Sequence, residues 1–364
     1  MNDYMQYYSN GEADDSYPDF FIEWDEAVSS GKKPGFYEPE ELTEIIEIYI
    51  INNQIKRAKQ AINYALRIYS DDDELLYEIL LLLNDYERWN ELLVVCEKYK
   101  NEYDVWVDGH RLTTLLHLGM EDESFILFKK LKTKYAESDE DLSIIYQAMG
   151  EALCEVDLFD SSIEVMQEAI NILGNDENFY WLQLSSYIAL EYKEKIWETA
   201  EVIQKLNPLD LTTWFRLGLA FQDIGDNEKA IEAFEYAQSL GDDSEELLMN
   251  MIYTYDKNKN FNKALEKTKE YLNLYPGNYV IIMMAAKLNS LIENWNEAVR
   301  YVDEALKLTP DVESLYLYKT NFLLRLEEYK KAKLTLMEGL KNTNDSQGYL
   351  SKKLSKLNRQ YPDY

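Results

Sequence analysis

His110 and His117, seven residues apart, are the only two histidines in this 364-residue chain. With Cys96 and Cys154 they are the side chains best suited to hold a transition metal, but no CxxC or HxxxH spacing groups them. No metal and no other cofactor is therefore expected. Phosphate chemistry would need a glycine-rich loop, and neither a Walker-type nor a GxGxxG segment occurs; nor does a GxSxG nucleophile turn. Asp and Glu number 68, so a carboxylate pair for acid–base work does not stand out from ordinary solvated faces. The residues give no positive case for an enzyme, and recognition of another molecule is the expected chemistry.

Charge narrows the class of partner. The formal net charge of −31 repels nucleic-acid phosphates and anionic membrane surfaces, so neither is an expected partner. Residues 1–47 carry 13 acids against Lys32 and Lys33, whereas ten bases lie between Lys319 and Arg359. That asymmetry reads either as solubility with ordinary helix ends or as attraction between ends, which salt would weaken. Cys96 and Cys154 fall among apolar neighbours in expected helices and read as buried free thiols of a reducing compartment. The opening residues lack a basic, apolar leader, and the runs Ile45–Ile51 and Leu75–Leu83 are short and interrupted by Glu47 and Glu78. A cytoplasmic location is expected.

The elements that must position any binding residues repeat along the chain. Ala230, Ala264, Ala298 and Ala332 recur every 34 residues, the period of a two-helix solenoid repeat. Repeats are expected from about residues 39, 73, 105, 143, 177, 211, 245, 279 and 313, with one spacing near 32 and one near 38. Each holds two apolar runs at helical periodicity, about 14 residues long. Punctuation falls between them, as at Asn207–Asp210, Tyr275–Asn278 and Thr309–Asp311, where Pro stops one helix and Asn or Asp can cap the next. Residues 1–38 stand outside the array as an acidic segment, expected to be mobile through Pro18. Its Phe20–Trp24 cluster either docks on the first repeat as a cap or serves as a free ligand motif. Residues 345–364 read as a basic capping helix with Leu350, Leu354 and Leu357 inward and Lys352, Lys353, Lys356 and Arg359 outward.

Trp214, Leu217, Gly218 and Phe221, followed by Ala230, Phe234 and Ala237, resemble the tetratricopeptide repeat family, as do Tyr146, Met149, Gly150, Leu153, Phe159, Met166 and Ala169. Partial copies fall in register over residues 39–344. The resemblance implies an all-α solenoid, a right-handed superhelix of about nine helix-turn-helix repeats. Small residues twelve apart, Gly218 with Ala230, Gly150 with Ser162, Ala286 with Ala298 and Thr320 with Ala332, let paired helices approach closely. Leu80 with Leu92 and Leu184 with Ile196 are bulky at those places, and their helices are expected to stand farther apart. Asp108 falls on a core position, which clouds the alignment of the 105 repeat. Either Trp181 or Tyr180 can be the core ring of the 177 repeat.

In the resembled family the first helices line a concave face. Carrying those offsets over implies a peptide-binding stripe of Tyr77, Trp181, Phe215, Met249, Tyr253, Met283 and Leu317. The polar positions it implies are Gln147, Glu151, Gln222, Lys257, Lys287, Asn321 and Arg325. Rings and Met residues at solvent-facing positions cover apolar partners, although several could instead pack against neighbouring helices. The family branch that clamps a terminal carboxylate uses Lys and Asn at places where this chain has Thr43, Glu47, Tyr77 and Leu81. An acidic peptide tail is thus a poor ligand for the first half, and a segment with apolar anchors and some basic residues suits it better. The expected function is that of a non-enzymatic scaffold or adaptor that binds a protein or peptide; the alternative is an assembly protein that self-associates through its charged ends.

Overall fold

A computed structural model describes residues 17–100 and 105–362, so the expectation for the first part of the N-terminal segment lies outside the described residues. Among them are twenty α-helices and no strands. None of these helices is long and apolar enough to cross a membrane. The chain divides into two compact units, Met1–Leu182 and Gln183–Tyr364.

The first unit begins with α1 (Asp19–Ser29) and continues with the hairpins α2/α3 (Pro39–Ile51, Ile55–Ile68), α4/α5 (Asp73–Asp85, Trp89–Tyr99), α6/α7 (Val105–His117, Glu121–Lys134) and α8/α9 (Asp139–Glu155, Phe159–Leu173). Helix α10 (Glu177–Ala189) crosses the division. The second unit holds α11 (Lys193–Leu206), the hairpins α12/α13 (Leu211–Asp223, Asn227–Ser239), α14/α15 (Glu245–Lys257, Phe261–Leu274), α16/α17 (Tyr279–Leu291, Trp295–Leu308) and α18/α19 (Glu313–Arg325, Tyr329–Asn342), then α20 (Tyr349–Gln360).

One backbone device closes every hairpin. A residue with positive φ stands at Asn53, Glu87, Gly119, Asp157, Glu191, Gly225, Lys259, Glu293 and Glu327. The next amide in each case donates to the carbonyl five residues back, for example Gln54 N to Tyr49 O at 2.8 Å and Asn294 N to Asn289 O at 2.8 Å. This is the Schellman closure, which satisfies carbonyls that the helix end would leave open. The turns lie 34 residues apart except for the steps from 87 to 119 and from 119 to 157, so the short and long repeats stand where the sequence put them. The extra length lies at the start of α8: it begins at Asp139, capped by Ser138, one turn before residue 143. Asp210 and Asn278 cap their helices by accepting from backbone amides, as expected; Asp311 does not, because Val312 takes the capping place.

Packing follows the small-residue rule. Ala58, Ser162, Ala230, Ala264, Ala298 and Ala332 are all buried. Ser124 and Ser162 each donate a hydroxyl to the carbonyl twelve residues back, Leu112 O and Gly150 O, both at 3.2 Å. A Cβ added to Gly150 would meet Met166 Cε at 2.5 Å, and one added to Gly218 would stand 2.9 Å from Cζ of Phe234 and closer still to Cδ1 and Cε1. Helices α12 and α13 therefore approach closely along their length, whereas α4 and α5, with Leu80 and Leu92 between them, do so only sparsely. The two units are all-α stacks of helical hairpins, a solenoid fold.

Helix α1 packs on the first hairpin with Phe21 and Trp24 buried. Trp24 meets the rings of Tyr37 and Tyr64 edge-on at 5.4 and 5.0 Å, and Asp25 pairs with Arg57 and accepts from Tyr49 OH at 2.7 Å. At the other end α20 buries Leu350 and Leu357 and leaves Leu354 partly covered.

Candidate functional site

Three first helices of the first unit, α4, α6 and α8, line an open cavity of about 280 Å³. On a helix, residues three and four apart share a face. That spacing brings Tyr77 and Leu81 of α4, Trp106, His110 and Thr113 of α6, and Gln147, Glu151 and Glu155 of α8 to one surface. Its floor is small: a Cβ on Gly109 would lie 3.4 Å from that of Ala148, so α6 and α8 close on each other and leave a depression above. The walls are aromatic. The Tyr77 and Trp106 rings stand 5.8 Å apart at 70°, and His110 is 6.4 Å from Tyr77. Both rings reach solvent, Tyr77 at 37% and Trp106 at 46% exposure.

Among the described residues the charges lining this cavity are of one sign, and no Lys or Arg lines it. The Glu151 carboxyl, whose side chain reaches solvent, is held above the usual glutamate range, first because the protein covers it in part and second because Glu155 repels its ionised form. Among the described residues none hydrogen-bonds to it. Glu155 does have a partner: its carboxylate lies 2.9 Å from His117 Nε2, and the His117 ring stacks on Trp89 at 4.0 Å. Burial holds the His110 imidazole below the ordinary histidine value, so it is neutral at pH 7 and offsets no negative charge. Among the described residues no three His, Cys, Asp or Glu side chains are grouped to bind a metal. Cys96 is buried with its thiol pushed up to about 12, and Cys154 is half-buried with its sulfur 3.2 Å from Ser162 Oγ.

Of the fourteen residues expected to bind a peptide, only Tyr77, Gln147 and Glu151 line this cavity. Trp181 requires correction. It is 7% exposed, and its indole N–H donates to Glu177 at 2.6 Å, so it packs in the core while Tyr180 stays half-exposed. In the second unit Met249 and Tyr253 are exposed on α14, with Lys257 over the Tyr253 ring at 5.0 Å. Phe215, Met283 and Leu317 are half-buried against core neighbours. The polar positions there are engaged within the chain: Gln222 donates to Thr254 at 2.8 Å, Lys287 pairs with Asp256 at 2.5 Å, Asn321 accepts from Lys353 at 2.7 Å, and Arg325 lies over Trp295 at 5.7 Å.

Sequence reasoning missed Trp106, His110, Thr113 and Glu155. Asp108 on a core position obscured the register of the 105 repeat, although Gly119, at the turn place that Gly225 fills in the 211 repeat, carried the signal. Asp108 is indeed buried, and its carboxylate accepts from Lys134 Nζ at 2.6 Å and Tyr135 OH at 2.9 Å.

No family model and no curated protein sequence matches this chain. Solved structures similar to it include the Naa15/Naa10 complex bound to HypK-THB, at 16% identity and a TM-score of 0.47, covering 79% of this chain and 42% of that one. A tetratricopeptide repeat protein from Parabacteroides merdae ATCC 43184 is similar at 14% identity and a TM-score of 0.41, over 74% of this chain and 97% of that one. YrrB, a TPR protein with an unusual peptide-binding site, has 16% identity and a TM-score of 0.42, over 53% and 97%. The chain thus spans less than half the length of the first of these.

Proposed function

We propose that this protein is a non-enzymatic interaction scaffold whose first unit holds a segment of another protein in the cavity between α4, α6 and α8. The observation that carries this reading is the pair of exposed rings, Tyr77 and Trp106, set at an angle over a small-residue floor. Exposed aromatic side chains on rigid helices make effective anchors, since few rotamers are lost on binding. The helices that carry them are fixed by their own hairpins, so little ordering is required of the scaffold when a partner arrives. At about 280 Å³ the cavity falls below the roughly 300–1,000 Å³ typical of small-molecule sites, and its size suits one or two side chains of a polypeptide. Apolar anchors of the partner would pack on the rings and on Leu81.

Selection of displayed random peptides on the whole protein tests the reading. Peptides recovered on the parent are expected to lose at least about tenfold in affinity on Tyr77→Ala and on Trp106→Ala. Both rings are more than a third exposed, and circular dichroism of each variant checks that its helices are retained. Undiminished binding to both variants would refute the assignment, as would failure to recover any peptide.

A further inference from the structure

We propose that the cavity between α4, α6 and α8 takes the cationic end of a lysine or arginine side chain, so that the partner is a basic segment. The inference rests on the reading of this groove as the binding surface, and it adds the chemistry of the occupant. Four features of the cavity point the same way. Two carboxylates, Glu151 and Glu155, face it, and among the described residues no lysine or arginine does. His110, neutral at pH 7, supplies no compensating charge. The Glu151 carboxylate has no hydrogen-bond partner among the described residues, whereas Glu155 is steadied from behind by His117. Tyr77 and Trp106 form an aromatic corner, with centroids 5.8 Å apart and planes at 70°, and the negative faces of such rings attract a cation.

The physical logic is one of mutual completion. Partial burial first and the charge of Glu155 second disfavour the ionised form of Glu151, whose side chain still reaches solvent. A cation placed beside it offsets the repulsion from Glu155 and favours the ionised form, an attraction moderated by the solvent that both carboxylates reach. An anion would meet two carboxylates and the electron-rich ring faces. A neutral side chain would cover the rings but leave Glu151 as it was. The overall charge of −31 adds long-range steering of a basic segment toward the protein.

The probes are N-acetyl methylamides of arginine, lysine, citrulline and norleucine, titrated into the whole protein while the Trp106 indole N–H resonance is followed by NMR. Citrulline has nearly the shape of arginine without its charge, and norleucine keeps the aliphatic stem of lysine without the ammonium. The arginine and lysine probes are expected to move the Trp106 signal saturably and to bind at least about tenfold more tightly than their neutral counterparts. Glu151→Gln is expected to remove that preference while leaving the Tyr77 and Trp106 resonances in place. Displayed peptides selected on the parent are expected to be enriched in Lys and Arg, and to lose that enrichment when selected on Glu151→Gln. Neutral probes that bind as well as the charged ones overturn the proposal. Peptides that need Tyr77 and Trp106 but contain no basic residue also overturn it, while the groove reading stands. If no peptide depends on Tyr77 or Trp106, both fall together.

Discussion

Gly218→Ala is the sharpest probe of how these hairpins are held. The added Cβ would stand 2.9 Å from Cζ of Phe234 and closer to two further ring atoms, where unstrained carbons lie about 3.5–4.0 Å apart. The Phe234 ring is fully buried, so it has no solvent to move into and must displace its packed neighbours to yield. Overpacking of this kind costs about 1–3 kcal/mol, and three clashing ring atoms place the case near the upper end. Against it stands a gain of about 1 kcal/mol, because alanine is the better helix former. The net expectation is a loss of about 2 kcal/mol. Gly109→Ala supplies the control: its Cβ meets only Ala148 at 3.4 Å, so the helix gain is kept and stability should rise by about 0.5–1 kcal/mol. Stacked repeats do not always unfold in one step, so urea melts should be paired with amide exchange resolved to α12 and α13. Phe234→Leu should rescue Gly218→Ala with a favourable coupling of at least about 1 kcal/mol. If Gly218→Ala stabilises the protein as Gly109→Ala does, close packing at this position is not what holds the hairpin.

The repeated turn makes its own prediction. Glu293→Gly relieves a left-handed residue and should stabilise by roughly 1 kcal/mol, whereas Gly225→Ala should cost a similar amount, both read from thermal melts. Trp24→Ala removes a ring packed between Tyr37 and Tyr64 and is expected to free α1, with loss of exchange protection in α1 of about 3–5 kcal/mol, or all that α1 has if it has less. Unchanged protection there would show that the helix is held by other contacts. Glu151→Gln should be as stable as the parent or more so at neutral pH. Since the carboxyl binds its proton more tightly in the folded protein, its ionisation removes stability as pH rises from the ordinary glutamate range through the raised folded value. The advantage of the glutamine variant should therefore vanish below about pH 4, a figure set by the unperturbed glutamate value. An advantage that grew on acidification would refute this account of Glu151.

Much of the fold was present in the sequence because it is local and repeated. The helical period, the recurrence of Ala230, Ala264, Ala298 and Ala332, and the small pairs twelve residues apart each concern one hairpin, and a hairpin brings its own two helices together. Even the uneven spacing was there, since the turn must recur wherever a hairpin closes. The turn residue itself was not, because seven of the nine left-handed positions are not glycine and their strain is borne by the surrounding closure. The cavity was the least evident part. It draws on three successive repeats, and which inward residues remain open depends on what the neighbouring helices cover. Trp181 shows this in one direction: the offset that exposes Tyr77 buries Trp181, because its own surroundings close over it. Asp108 shows it in the other: a buried carboxylate looks like an error of register until Lys134 and Tyr135, a full helix away in sequence, are seen to meet it. Sequence alone determined the helices, their pairing and the negative charge. Only the tertiary structure decided which side chains share a surface, because that depends on packing between hairpins, where residues far apart in the chain compete for the same space.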